Sequence, residues 1–248
     1  MNRKLFLVLL VVGFATQSLS AQRKEQLQEA EKLNKIGSDF FLGRSYEKAL
    51  DAFSKELPLR RAAKDTLGEA WALNQVGECY SSLGSWQKAY DSYFQALPIF
   101  RNLKETHGEA RTLHGLAGMS GALKNYRLAL KYLEEVLPIV KTSEDRQWEG
   151  MILGDIANAY FELHDEPRAF EFFQKRLSYE QTRKDEVGEA EAFRSLGAAY
   201  EAKGDKRKAL ESYQKTLSFY LKMTERVQSD YLTADISELR EAIKRLQN

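Results

Sequence analysis

Apolar side chains in this chain recur with the three- and four-residue spacing of α-helices, and the pattern repeats after forty residues. Leu73, Val76 and Tyr80 lie on one face of a first helix. Gly84 interrupts the pattern, and a second amphipathic segment runs from Trp86 to Phe100. Each unit is therefore predicted to be a helix, a tight turn and an antiparallel second helix.

Several positions carry this repeat along the chain. A small residue of the first helix recurs as Gly37, Gly77, Ala117, Ala157 and Gly197. An alanine of the second helix recurs as Ala49, Ala89, Ala129, Ala169 and Ala209. A Gly-Glu-Ala opening appears at 68–70, 108–110 and 188–190. A fixed period of about 20–50 residues is typical of a solenoid, in which each unit buries its apolar face against its neighbours.

The spacing predicts an all-α fold of five antiparallel helix pairs followed by a C-terminal capping helix. Residues 22–223 hold the five repeats, with approximate boundaries at 24–63, 64–103, 104–143, 144–183 and 184–223. Residues 224–248 form the capping helix, because its apolar positions are separated by Glu and Lys and no further unit follows.

The repeat resembles the tetratricopeptide repeat. The residues that carry the resemblance in the second unit are Leu73, Val76, Gly77, Tyr80, Ala89, Tyr93 and Ala96. The resemblance implies a right-handed superhelical solenoid whose concave side is lined by the first helix of each pair, helix A. The family repeat has about 34 residues, and the longer unit looks like the forty-residue subclass of kinesin light chains, G-protein-signalling scaffolds and CHAT-associated repeats.

The resemblance also implies a groove for a protein or peptide partner on the helix A face. The candidate groove residues are Asn34, Trp71, Asn74, Glu78, Arg111, His114, Asn158 and Arg194. Asparagine side chains can pair with the backbone of an extended peptide, and arginine can hold a carboxylate in a bidentate pair. The two-carboxylate clamp of chaperone-binding relatives is not reproduced, because Gly115 stands where a cation is needed.

Composition narrows the classes of partner. The chain is 43% hydrophobic and 29% charged, with a mean hydropathy of −0.51. That hydropathy excludes a protein with several membrane spans. The net charge of +1 argues against nucleic acid, whose backbone requires a local excess of Lys and Arg.

The first 21 residues are predicted to be a secretory signal peptide. Arg3 and Lys4 precede an apolar run from Leu5 to Ala15, which is too short for the roughly 20 residues that span a bilayer. Cleavage is expected after Ala21, with cleavage after Ser20 and an uncleaved N-terminal anchor as alternatives. The expected location is secreted or periplasmic, with no integral span after removal of the signal.

The sequence contains no recognisable catalytic set. Cys79 is the single cysteine and is expected to pack as a small hydrophobe. A metal site built from His107, His114 and His164 is possible in principle but disfavoured, and no cofactor or metal is expected. We therefore expect a non-catalytic adaptor. The alternatives are a self-associating module of the cell envelope, which would be a homo-oligomer, and more remotely a hydrolase that uses His114.

Three local features carry expectations of their own. Thr66 and Glu69 match a capping box at the start of a first helix. Prolines in one register, at 58, 98 and 138, are expected to kink the second helix, the alternative being that the helix ends there. The third repeat, with Gly115, Gly118 and Gly121 in its first helix, is expected to be the most mobile.

Overall fold

The computed structural model describes residues 3–142, 147–225 and 230–247. Within these ranges the chain forms eleven α-helices and no strand, which confirms the all-α repeat prediction. The predicted boundary between residues 143 and 144, Val227, and the side chains of the signal segment up to residue 18 lie outside the described residues. In the part of the chain that the structure describes, no helix combines the length and hydropathy that a membrane crossing requires.

The helices divide between two compact units, 1–125 and 126–248. The first unit holds α1 (Arg3–Leu42), α2 (Tyr46–Ala62), α3 (Thr66–Ser82), α4 (Trp86–Leu103) and α5 (Thr106–Ala122). The second unit holds α6 (Tyr126–Lys141), α7 (Gln147–Glu162), α8 (Glu166–Arg183), α9 (Glu186–Ala202), α10 (Lys206–Thr224) and α11 (Asp230–Gln247). Inside each unit, every helix packs against the next one in the chain. Odd-numbered helices up to α9 are the A helices, and even-numbered ones are the B helices.

The turns between helices share one backbone feature that recurs at multiples of twenty residues and that the sequence does not show directly. One residue with positive φ stands in each described turn, and the set is Arg44, Lys64, Gly84, Lys104, Lys124, His164, Lys184 and Gly204. A left-handed residue just past a helix lets the backbone N–H groups of the turn bond back to the last carbonyls of the helix. Only two of these positions carry glycine, the residue that adopts positive φ without steric cost.

Replacing Lys104 with glycine is expected to raise the free energy of unfolding by about 0.5–1 kcal/mol. Lys104 is exposed, with φ 56° and ψ 33°, and an L side chain costs roughly 1–2 kcal/mol in this conformation. Part of that gain is offset by the greater chain entropy of glycine. Chemical denaturation of the variant measures the change. The matched control is Lys131→Gly in the interior of α6, which should lower stability by about 1 kcal/mol.

The Gly-Glu-Ala opening marks the start of an A helix, one residue out of the predicted register. Thr66 is the first residue of α3, so the predicted capping box is wrong. The cap is Asp65, whose carboxylate accepts the N–H of Gly68 at 3.0 Å. Glu69 instead accepts a bond at 2.7 Å from Arg61, eight residues earlier.

The same opening recurs at α5 and α9. The caps Glu105 and Asp185 accept the N–H groups of Gly108 and Gly188. The alanines that end the motif, Ala70 and Ala190, are fully buried. Each residue of the motif therefore has a packing role at the junction of two repeats: the glycine binds the cap, the glutamate pairs across the turn, and the alanine enters the core.

In the first, second and fifth repeats, the small residue of helix A is a glycine that makes room for an aromatic ring of the paired B helix. A Cβ atom at Gly37 would lie 2.5 Å from Phe53, and one at Gly77 would lie 2.8 Å from Tyr93. Cys79 is fully buried beside Phe53, as predicted for a small hydrophobe, and burial raises the pKa of its thiol to about 12.

A row of cation–π contacts joins the helices of a pair in four of the five repeats. The pairs, eight residues apart, are Lys48 over Phe40, Lys88 over Tyr80, Arg168 over Tyr160 and Lys208 over Tyr200. In the third repeat the two positions carry Leu128 and Ser120. These contacts explain why a large aromatic recurs in helix A, and such a contact is worth about 0.5–1 kcal/mol at an exposed site.

The three prolines in one register lie inside the B helices. The helices α2, α4 and α6 continue past Pro58, Pro98 and Pro138, so the alternative in which each helix ends at its proline is wrong.

The C-terminal helix covers the last repeat, as the sequence pattern predicts. On α11, Ile236 and Leu239 pack on Tyr213 and Tyr220 of the last repeat. The opposite face carries exposed polar residues such as Glu241, as a terminal cap requires.

Glu180 stands where other repeats place a large side chain against the next A helix. It is 3% exposed, lies against Gly150 and Gly188, and accepts a bond from Arg183 at 2.9 Å. Burial raises the pKa of its carboxyl above the ordinary 4.5, and the charge of Arg183 opposes that shift.

Acidification from about pH 7 to about pH 5 is expected to stabilise the wild type relative to Glu180→Gln. Since the folded-state pKa is raised, the folded protein binds more protons than the unfolded chain just above the ordinary pKa. Stability is therefore gained as the pH falls through this window and lost as it rises. Thermal melts of both proteins across the range measure the difference, and a difference that stays constant with pH contradicts the assignment.

Candidate functional site

The candidate groove residues of the first unit join neighbouring A helices. Asn34 on α1 donates to Gln75 on α3 at 2.9 Å, and Arg111 on α5 pairs with Glu78 on α3. The arginine and the glutamate are partly exposed. The structure therefore brings these residues together as a ladder of polar side chains across α1, α3 and α5, which we call the A-helix row.

Asn74 is not a partly exposed member of this row, and the structure corrects the expectation that it lines the groove. It is 1% exposed and donates to the Thr112 hydroxyl of α5 at 2.9 Å, so its amide lies inside the packing of α3 and α5. Its Oδ1 has no hydrogen-bond partner among the described residues. Asn74 is better understood as a buried link between A helices than as a direct contact.

Trp71 is half-buried and joins the row to the hydrophobic core. Its ring meets Phe100 edge to face at 4.9 Å, and the guanidinium of Arg111 lies 5.9 Å from the ring centroid. His107 lies 5.8 Å from the same ring. One part of the indole therefore stabilises the fold while the rest faces the row, the arrangement that suits an amphipathic contact residue.

A pocket of about 370 Å³ opens beside Trp71 between α1, α2 and α3. We call it the Asn34 pocket, and its polar and aromatic lining is Asn34, Glu56, Arg60, Asp65, Trp71 and Gln75. Glu56 is 1% exposed and accepts bonds from Asn34 Nδ2 at 3.1 Å and from Arg60 Nε at 2.9 Å. Burial raises the pKa of the Glu56 carboxyl, and the bonds from Asn34 and Arg60 oppose that shift.

Sequence reasoning missed Glu56 and Gln75. A signal was available, because the positions equivalent to Glu56 in the next two repeats are Ala96 and Val136. A charged residue at a position that is apolar in neighbouring repeats indicates that its surroundings are polar. The same signal marks Arg176 in the fourth repeat, whose Nε has no hydrogen-bond partner among the described residues.

In the second unit, the carboxylates that Arg194 holds belong to the chain itself. Its Nη1 lies 3.3 Å from Asp235 Oδ1 and its Nη2 lies 3.5 Å from Glu238 Oε2, both on α11. Glu191, on the same face, accepts the Tyr220 hydroxyl at 2.6 Å. Arg194 thus helps to hold the capping helix α11 in place, a role that the sequence pattern did not indicate.

A second pocket, of about 330 Å³, lies between α7, α8 and α9. We call it the Asn158 pocket, because the exposed Asn158 stands at its edge. Phe161 and Phe173 line it, and Arg194 and Ser195 add polar groups. Its mixture of apolar walls and few polar groups is typical of a site for a side chain of another molecule.

The three histidines do not form one group. His107 and His114 lie on α5 of the first unit, and His164 is the left-handed turn residue before α8 in the second. Among the described residues, no cluster of three His, Cys, Asp or Glu side chains is placed to hold a metal ion.

Three solved structures similar to this chain have the same fold. A protein of nearly identical kinesin light chain TPR-like repeats from Podosopora anserina has 14% identity and a TM-score of 0.67, with 80% of this chain and 97% of that chain covered. BtubC from P. vanneervenii has 20% identity and a TM-score of 0.62, with 85% and 94% covered. A Rap protein complexed with competence and sporulation factor has 17% identity and a TM-score of 0.63, with 88% and 65% covered.

These identities show the fold alone, and a comparison with curated protein sequences finds no significant match. The family is established by sequence models of the repeat itself. One model described as tetratricopeptide repeat matches residues 28–102 and 108–179, and a second model of the same description matches residues 192–226. Since these segments cover well over half of the 248 residues, the chain belongs to the tetratricopeptide repeat family.

Proposed function

We propose that the protein is a non-catalytic adaptor that binds a protein or peptide partner on its A helices. The observation that carries the proposal is the A-helix row with the Asn34 pocket in the first unit, and the corresponding face with the Asn158 pocket in the second. Each face joins partly exposed polar groups to aromatic side chains, the combination that protein interfaces favour. One similar structure, the Rap protein, is a complex with competence and sporulation factor.

The side chains of the row favour a polypeptide over a small substrate. Most of them already have partners within the protein, as the Arg111–Glu78 and Asn34–Gln75 pairs show. A partner would therefore be bound through the exposed edges of these side chains, through the pockets, and through hydrogen bonds that replace some of the existing ones. Such contacts are spread along several helices, as solenoid surfaces allow. We also propose that the forty-residue unit places the chain with the kinesin light chain-like subclass.

Export is part of the proposal. The positive start and short apolar run of residues 1–21 support a cleaved signal. Mass spectrometry of the protein from its native host should then find a chain that begins at Gln22. A chain with residues 1–21 intact in the membrane fraction contradicts cleavage and supports an anchor.

Bulky substitutions on the A helices test partner binding. Gly118 and Asn158 are exposed on α5 and α7, so Gly118→Arg and Asn158→Arg should fold normally while obstructing the face of their own unit. Each is expected to reduce recovery of the specific partner about tenfold in affinity purification. The matched controls are Gln95→Arg and Gln214→Arg on exposed positions of B helices, which should not change recovery.

Two results contradict the proposal. If both A-helix variants recover every partner as well as wild type, binding does not use this face. If light scattering shows a mass that rises with concentration, and the B-helix variants abolish that rise, the protein is a self-associating module instead.

A further inference from the structure

We propose that the Asn34 pocket takes a lysine or arginine side chain of the partner polypeptide, an inference that rests on the proposed adaptor function. The pocket lies at the N-terminal part of α3, and its lining includes Glu56 of α2 and Leu67 and Trp71 of α3. Its volume of about 370 Å³ is large enough for one long side chain with accompanying water.

The charges of the pocket lining favour a cation. Two carboxylates, Glu56 and Asp65, face it, and one guanidinium, Arg60, accompanies them. Arg60 bonds to one oxygen of each, at 2.9 Å to Glu56 Oε1 and 2.8 Å to Asp65 Oδ2. With both acids ionised, the lining carries two negative charges and one positive charge, so its net charge is −1.

The second oxygen of Glu56 is the point where that charge is least compensated. Among the residues that the structure describes, Glu56 Oε2 accepts only from the neutral amide of Asn34, at 3.1 Å, while its other oxygen bonds to the guanidinium. A carboxylate that is 1% exposed and only partly neutralised has an unfavourable desolvation energy. A cationic side chain in the pocket would offset this desolvation energy of the Glu56 carboxylate, whereas an apolar side chain would not. The pocket should therefore select a cation over an apolar side chain.

The walls suit the stem of a long basic side chain. Leu67 is 42% exposed and presents an apolar surface for methylene groups, which lysine and arginine pack against such surfaces. The Gln75 oxygen accepts from Asn34 and has a second lone pair for a donor. The ring of Trp71 attracts cations, as the guanidinium of Arg111 5.9 Å from its centroid illustrates.

The second unit lacks this chemistry at its own pocket. The Asn158 pocket is lined by Phe161, Phe173, Ala198 and Ala199 with one acid and one arginine, so its charges balance. We therefore expect the preference for a basic side chain to be confined to the first unit.

Short acetylated and amidated alanine peptides with lysine, arginine, norleucine or glutamate at the centre test the inference on the full chain. Binding is followed by the NMR signals of the Trp71 indole N–H and of the Asn34 and Gln75 amides, with Trp86→Phe and Trp148→Phe used to assign the three indoles. We expect the lysine and arginine peptides to shift these signals and the norleucine and glutamate peptides not to do so.

Charge variants locate the effect. Glu56→Gln keeps the shape of the side chain and should weaken binding of the lysine peptide about tenfold. Glu180→Gln, an equally buried carboxylate in the second unit, should leave binding unchanged. Should Glu56→Gln fail to fold, the exposed Leu67 serves instead, because Leu67→Glu should strengthen binding and Leu67→Lys should weaken it.

The possible outcomes separate the two proposals. Equal binding of the norleucine or glutamate peptide, or no effect of charge at positions 56 and 67, overturns the cation pocket. Spermidine binding without lysine-peptide binding makes the ligand a free polyamine and overturns the assignment to a polypeptide. If the pocket fails while Gly118→Arg or Asn158→Arg still loses the partner, the adaptor function stands without the cation pocket. If the lysine peptide binds while both variants keep every partner, binding of the partner along the A helices is overturned and only the preference of the pocket for a basic side chain remains.

Discussion

Replacing Phe100 with alanine is expected to lower the free energy of unfolding by about 3–5 kcal/mol, the loss typical of a buried phenylalanine. Phe100 is fully buried at the end of α4, where it packs against Ala70 and Leu73 and meets Trp71 edge to face. It also fills the space beside Gly108 at the start of α5. One ring thus joins two repeats, and its removal leaves a cavity that rigid helices cannot close.

The matched control lies on the same helix. Phe94 is 58% exposed, so Phe94→Ala should change stability by no more than about 0.5 kcal/mol. Urea denaturation followed by circular dichroism measures both variants. Similar losses for the two would show that the ring at position 100 does not hold the repeats together, and that helix propensity dominates instead.

Two glycines of α5, three residues apart, are expected to respond to alanine with opposite signs. Gly118→Ala should raise the free energy of unfolding by about 0.5–1 kcal/mol, because nothing lies within 4 Å of an added Cβ and alanine favours the helix. Gly115→Ala should lower it by about 1 kcal/mol or more, because its Cβ would lie 2.8 Å from Tyr93 Cζ.

The ring of Tyr93 cannot move aside at low cost. It is 4% exposed and lies close to Gly77 of α3 as well as to Gly115 of α5. Thermal melts of both variants check the signs, and hydrogen exchange of residues 110–122 checks the related prediction that this glycine-rich helix opens most readily. Protection equal to that of residues 190–202, or destabilisation by both alanines, contradicts this explanation.

The fold followed from the sequence because it depends on a strict repeat. The small residue of helix A, Gly77 in α3, and the alanine of helix B recur in every unit, and the period places α3 and α5 in the same role. Turn residues were harder, because Lys104 and His164 adopt positive φ without being glycine. The helix starts were misplaced by one residue, since Thr66 and Asp65 are both acceptable caps by residue type.

The site could be predicted only as a surface. Helical spacing assigns Asn74 and Arg194 to the A-helix face. It does not show that Asn74 binds Thr112 or that Arg194 binds Asp235 of α11. Both partners lie about forty residues away in the chain, Thr112 on the next A helix and Asp235 on the capping helix α11. Which groups remain accessible depends on such side-chain pairs, and these are set by packing of neighbouring helices and not by the period.

The most direct test of the central claim is site-specific photocrosslinking in the native host. A photoreactive amino acid placed at position 118 or 158 lies on the A helices, and one at position 95 or 214 lies on the B helices. If the protein is an adaptor of the kind proposed, positions 118 and 158 crosslink to a polypeptide partner while positions 95 and 214 do not. Crosslinks confined to positions 95 and 214, or no crosslink at 118 and 158 to a partner that copurifies, would contradict it.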